Sequence, residues 1–215
     1  MQLPEGHVRW GGASLHLAAW RIAAGYALLG TMAAALALAL RDGLPWEYPG
    51  PWLSLSMAES IGLSAAIGVG LGLVLIVLTR IAVPRFAWAE RLHMELRPVA
   101  RDLSTGRILV VAAFSSLGEE LLFRGLLQPW IGFIAGGLVF GMVHQVPGPS
   151  RWVWVTWATV VGTAFGAIFA LTGSLVGPLL AHALVNAVNL AYLRDYDPSA
   201  PRPAGSEQEQ EQEQE

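Results

Sequence analysis

Long apolar runs broken by short polar stretches set the plan of this chain. Runs that read as helices lie near residues 18–40, 57–79, 108–128, 130–146, 152–171 and 174–193. Each approaches the roughly 20 apolar residues that cross a hydrocarbon core, and a backbone in lipid has to satisfy its own hydrogen bonds. The expected architecture is therefore all-α, a polytopic membrane helix bundle of about six transmembrane helices. Ala35-Leu36-Ala37 resembles a signal-peptide cleavage site. The apolar stretch from Ile22 to Leu40 exceeds the usual span of roughly 7–15 residues for such a peptide, so a retained first helix is expected.

Between the second and third runs the pattern changes. Phe86, Ala89, Leu92, Leu96, Val99 and Leu103 recur at helical spacing among arginines, with Pro98 interrupting. This reads either as a helix lying on the membrane surface or as a plain basic linker, and neither reading assigns chemistry to His93. Gly132-x-x-x-Gly136, Gly137-x-x-x-Gly141 and Gly162-x-x-x-Gly166 place small residues one turn apart, the pattern of close helix packing in lipid. The expected organisation is an N-terminal pair of transmembrane helices with a basic surface segment over residues 1–106. A four-helix core over 107–194 and a disordered acidic tail over 195–215 follow.

Composition agrees with the membrane reading. Apolar residues make up 54% of the chain, charged residues 13%, and the mean hydropathy is +0.49. The formal charge of -3 misleads, because the alternating Glu/Gln tail ending at Glu215 holds much of the acid and cannot bury apolar area. Every one of the 13 basic residues is arginine, and all except Arg41 and Arg124 fall on one side of a six-helix topology. The positive-inside rule then puts both termini in the cytoplasm, in an integral membrane protein of a bacterial inner membrane. The expected partners are membrane lipids and a membrane-anchored protein or peptide, with no nucleic acid. There are no cysteines, so any catalyst has to come from oxygen and imidazole groups.

Ionisable groups at membrane depth are costly, and each is a functional hypothesis by default. Glu59 and Arg21 lie near helix ends and can snorkel. Glu119, Glu120 and Arg124 sit inside the apolar run from Ile108 to Leu127. Glu120 and Arg124 are four apart and face each other as an ion pair, while Glu119 is rotated by about 100° and cannot share that partner equally. Later runs add two imidazoles, His144 one turn after Phe140 and His182 one turn before Asn186. A lone membrane histidine usually bridges helices. Two of them beside an unpaired glutamate favour catalysis.

The set Glu-Glu-x-x-x-Arg, Phe-x-x-x-His and His-x-x-x-Asn on successive membrane helices resembles the CPBP family. These are the CAAX prenyl endopeptidase and bacteriocin-processing intramembrane proteases, also called the Abi family. The resemblance spans Glu119 to Asn186, and its compact form is similar to sorting proteases of the myxosortase kind. It implies an endopeptidase in which Glu119 and His144 activate water while His182 and Asn186 hold the carbonyl oxygen. Glu120, Arg124 and Phe140 would give structural support. Such a division suits peptide hydrolysis, which needs a base and preorganised donors.

Two alternatives stay open. Glu119, His144 and His182 are also a set that can hold zinc, but zinc would consume Glu119 and leave the base to Glu120, which faces Arg124. A metal-free site without cofactor is therefore expected. The other alternative is a non-enzymatic membrane protein, of bacteriocin-immunity or scaffold type, in which the polar cluster only locks helices together.

Overall fold

The computed structural model describes residues 12–200, with side chains from Ala19 onward, so the tail from residue 201 lies outside the described residues. The described chain is helical, with one isolated bridge between Glu47 and Ser174. The helices are α1 Gly12–Leu40, α2 Met57–Arg85, α3 Ala87–Ala100, α4 Thr105–Glu120, α5 Gln128–Val143, α6 Arg151–Thr172 and α7 Val176–Asp195. A π-helical stretch, Leu121–Leu127, joins α4 to α5 without a break. Ala19–Leu40, Met57–Arg85, Thr105–Val143, Arg151–Thr172 and Val176–Asp195 are long and apolar enough to cross a membrane. The protein is an integral membrane helix bundle.

The expected third and fourth spans, 108–128 and 130–146, form a single helical run folded back on itself. Its hinge is Gly132, at φ 78° and ψ 166°. Side chains on either side of it meet: Phe123 and Phe140 stack edge to face at 5.0 Å, and a Cβ on Gly136 would lie 3.9 Å from Gln128 Cβ. At about 1.5 Å per residue, residues 133–143 cover roughly 17 Å, near half of the hydrocarbon core. The fourth apolar run is thus a half-length return limb that leaves helical geometry at His144. Gly132 is a turn residue, whereas Gly137 and Gly141 pack on Thr163, Thr159 and Val155 of α6, and Gly162 packs on Phe140.

Polar anchors fix the two ends of the bundle. Ser56 and Glu59 form a capping box at the start of α2, which explains an acid at that membrane edge. The segment between α1 and α2 straps the junction of α6 and α7 through Tyr48 N–H to Gly173 O (2.9 Å) and Trp52 N–H to Ala170 O (2.9 Å). Ser64 Oγ inserts between α2 and α7, donating to Ser174 O and accepting from Gly177 N–H. At the opposite end, Glu95 of α3 accepts from Ser150 N–H (3.2 Å), and Arg194 of α7 donates to Thr105 Oγ1 (3.0 Å). The loops 86–104 and 144–150 therefore share one face, as the arginine pattern requires.

The basic segment is a helix, and its buried side holds Ala89, Leu92, His93 and Ala100. His93 Nε2 bonds the Tyr196 carbonyl at 3.0 Å, and Arg97 pairs with Asp197 at 3.3 Å. The first residues of the expected tail are thus docked on α3, because the rings of Tyr192 and Tyr196 stack on each other and meet His93 edge to face.

Two outcomes follow from these features. The φ/ψ pair of Gly132 is open essentially to glycine alone, so Gly132→Ala should destabilise by about 1–3 kcal/mol. The position has open space for a Cβ, as does helical Gly25. A thermal melt in detergent should therefore show a loss for Gly132→Ala and none for Gly25→Ala. Burial, aided by Arg97 and Arg80, holds His93 below the usual imidazole range, against the opposing pull of the Tyr196 carbonyl and Asp197. Its contribution is intact above about pH 6.5 and is lost as pH falls below that value. Wild type should lose more melting temperature than His93→Gln on acidification from about pH 7.5 to about 5.5.

Candidate active site

The last turn of α4 delivers both glutamates to the centre of the bundle. Gly118 makes this possible, since a Cβ there would lie 2.5 Å from the Tyr26 carbonyl oxygen of α1. Glu120 is fully buried, and its Oε1 accepts from Arg124 Nη1 (2.9 Å) and from His182 Nδ1 (2.8 Å). Arg124 also donates from Nη2 to Gly162 O at 2.7 Å, with its guanidinium 4.7 Å from the Phe140 ring centre and 5.6 Å from that of Phe165. The π-helical turn that carries Arg124 widens the local bonding pattern, a feature frequent at functional sites. Glu120 and Arg124 pair as their spacing implies, and the pair also orients His182.

Glu119 faces elsewhere. It is 7% exposed, and its Oε2 has no hydrogen-bond donor. That atom lies 3.4 Å from His144 Nε2 and 3.7 Å from His182 Nε2. His144 Nδ1 lies 2.6 Å from the Phe140 carbonyl, and His182 Nδ1 meets the Glu120 carboxylate. Both partners only accept, so each Nδ1 carries a proton, and when a ring is neutral its bare Nε2 faces Glu119. Three lone pairs converging on one point repel unless a proton or a water hydrogen is shared among them. The cluster is thus built to hold and move a proton.

Asn186 sits one turn beyond His182 and donates from Nδ2 to Ser115 Oγ at 3.2 Å, one turn before Glu119 on α4. The structure therefore brings Glu119, His144 and His182 into direct contact, and places Asn186 on the adjoining α4–α7 seam. The sequence pattern did not reveal Tyr26, Ser115 or the Gly162 carbonyl. The Tyr26 carbonyl of α1 lies against Gly118, the residue before Glu119. The signal at that position was a tyrosine inside an apolar span, away from the membrane interface where tyrosines concentrate.

Two Nε2 atoms with their Nδ1 protons held by acceptors resemble the outer arrangement around metal-bound histidines. Glu119, His144 and His182 are nevertheless not arranged as a group that would share one ion, and no other such group occurs among the described residues.

The fold and this centre define a polytopic membrane protein with a buried carboxylate set against two imidazoles. Residues 102–188, the stretch that holds Glu119 through Asn186, match the family model described as Type II CAAX prenyl endopeptidase Rce1-like. That stretch is similar to the CAAX prenyl endopeptidase (CPBP) family, whose members are typically intramembrane proteases. The chain is also 31% identical over 91 residues to the uncharacterized protein YpbD of Bacillus subtilis (strain 168). That match covers 42% of this chain and 48% of the relative, so the chain spans about half the length of the curated relative it matches. No solved structure gives a significant match.

Removing Arg124 would leave Glu120 buried without its cation. Arg124→Ala should then cost about 3–5 kcal/mol, seen as loss of monodisperse protein in detergent. The double change Glu120→Gln with Arg124→Met removes both charges and should recover part of that yield.

Proposed function

We propose that the protein is an intramembrane endopeptidase that hydrolyses a peptide bond in a membrane-associated protein or peptide. The observation that carries this reading is the buried Glu119 Oε2, free of donors and facing both Nε2 atoms. A water placed among them gives its proton to Glu119 and attacks the carbonyl carbon. The proton is passed on to the leaving amine, with His144 as relay. His182 and Asn186 donate to the developing oxyanion. His182 can do so from Nε2 only when both of its ring nitrogens carry protons.

The substrate class proposed is a C-terminal sorting signal of the myxosortase kind or a leader peptide, presented at the membrane. The arginine-rich end would face the cytoplasm of a bacterial inner membrane. His144 leads directly into the 145–150 loop held by Glu95, so the centre would open toward that end. The rival reading, a scaffold in which the cluster only locks helices, is served by Glu120 and Arg124 but gives no task to Glu119.

The test uses purified protein in detergent with two probes, a prenylated CAAX peptide and a peptide bearing a membrane sorting signal. Glu119→Gln should reduce cleavage by roughly a hundredfold or more, the worth of a general base, and His144→Gln should do likewise. A chelator should leave wild-type activity in place. Equal cleavage by wild type and Glu119→Gln would end the proposal, and loss on chelation with recovery on adding zinc would replace the metal-free mechanism.

A further inference from the structure

We infer that Ser115 of α4 is a positioning residue for the Asn186 amide, an assignment that rests on Asn186 serving as an oxyanion donor in the proposed peptidase. Asn186 donates from Nδ2 to Ser115 Oγ at 3.2 Å, and among the described residues this is the one hydrogen bond its side chain makes. Ser115 is buried, and its own proton has the Ala112 carbonyl at 3.4 Å as acceptor. The hydroxyl therefore offers α7 a lone pair and takes the NH2 end of the amide, since an Oδ1 turned that way would meet another acceptor. The two ends of an amide are told apart by their partners, and Ser115 is the partner that decides here. Nδ2 carries two N–H groups, of which Ser115 takes one. The other stays available to a carbonyl oxygen as charge develops on it.

The contact belongs to the seam that also holds the base. Ser115 stands one turn before Glu119 on α4, and Asn186 one turn after His182 on α7. Their bond and the approach of Glu119 to His182 at 3.7 Å are thus two rungs across one antiparallel pair of helices, about 5.4 Å apart. His182 is held in the same way from the same helix, by the Glu120 carboxylate at 2.8 Å. Each of the two proposed oxyanion donors accordingly has one holder on α4, the helix that carries Glu119. Base and donors keep their mutual placement because one rigid element sets all three.

The adjacent hydroxyl has a different setting. Ser116 is fully buried, and its Oγ donates at 2.6 Å to the Ala112 carbonyl, back along its own helix. Among the described residues it makes no hydrogen bond to another helix. Two neighbouring serines of the same size and burial therefore separate the roles. Ser116 closes a local turn, whereas Ser115 reaches across the seam to a group of the proposed site.

Ser115→Ala removes the hydroxyl and is tested in the full-length protein in detergent, with Ser116→Ala as a control of equal size. The first measurement needs no activity: the side-chain amide signals of Asn186 in an isotope-labelled sample, identified by NMR as those lost in Asn186→Ala. They should shift in Ser115→Ala and stay in place in Ser116→Ala. The second is cleavage of the prenylated CAAX peptide and the sorting-signal peptide. Asn186→Ala should lower kcat about a hundredfold or more, the cost of one oxyanion donor. Ser115→Ala should lower kcat about tenfold with KM unchanged, as for one hydrogen bond that orients such a donor. In the Asn186→Ala background the same change should have no further effect on kcat, whereas a loss caused by helix packing persists in both backgrounds. Unmoved amide signals or an unchanged kcat in folded Ser115→Ala would overturn the inference, as would a rise in KM alone, an equal loss in Ser116→Ala, or a loss repeated in full without Asn186. Shifted signals in a protein whose wild type cleaves neither peptide would keep the contact and end the peptidase reading, so the two failures are distinguishable.

Discussion

One buried oxygen carries much of this structure. Glu120 Oε1 receives both the Arg124 guanidinium and the His182 imidazole, and Arg124 reaches on to the Gly162 carbonyl. The π-helical stretch, α6 and α7 are thereby fixed to one another by a single carboxylate. Burying two charges costs several kcal/mol per ion, and their attraction roughly recovers that cost. The pair therefore adds little net stability. What it supplies is position, because helices that moved apart here would leave a buried charge without its partner.

The consequence for chemistry is a division of labour between two adjacent acids. Glu120 commits Oε1 to the Arg124 and His182 donors, and its buried Oε2 has no partner. Glu119 points away from them by the rotation of one helical residue and keeps an unbonded oxygen. By fixing the Nδ1 proton of His182, Glu120 decides which ring nitrogen Glu119 meets. The Phe140 carbonyl does the same for His144. The tautomers are set by acceptors other than Glu119, the Glu120 carboxylate and the Phe140 carbonyl.

How much of this was legible depended on whether a contact was local. The pairing of Glu120 with Arg124, and the sharing of a helix face by Phe140 and His144 or by His182 and Asn186, follow from a four-residue spacing. The long apolar runs likewise gave the bundle and its two faces. The turn at Gly132 was hidden because glycines one turn apart read equally well as packing surface, and only the positive φ distinguishes them. Tyr26, Ser115 and the Gly162 carbonyl act across helices far apart in sequence. No periodicity links residue 26 to 118 or 115 to 186. The docking of Tyr196 on His93 was missed for a different reason, since composition marked the following residues as a tail and nothing in the sequence showed where packing stopped.

Gly132 also resolves a difficulty of depth. Straight spans drawn from the apolar runs set Glu119 near mid-membrane and His144 near a membrane edge, too far apart to act together. A hairpin removes the discrepancy, because Glu119 and His144 lie roughly a dozen residues to either side of the same turn and so return to one level at about 1.5 Å per residue. Tilting the hairpin moves both together. The register between acid and imidazole is therefore set by the length of two limbs and the place of one glycine, and one added residue in either limb would turn its side chain by about 100°. At a separation of 3.4 Å, that rotation alone would take His144 Nε2 out of reach of Glu119.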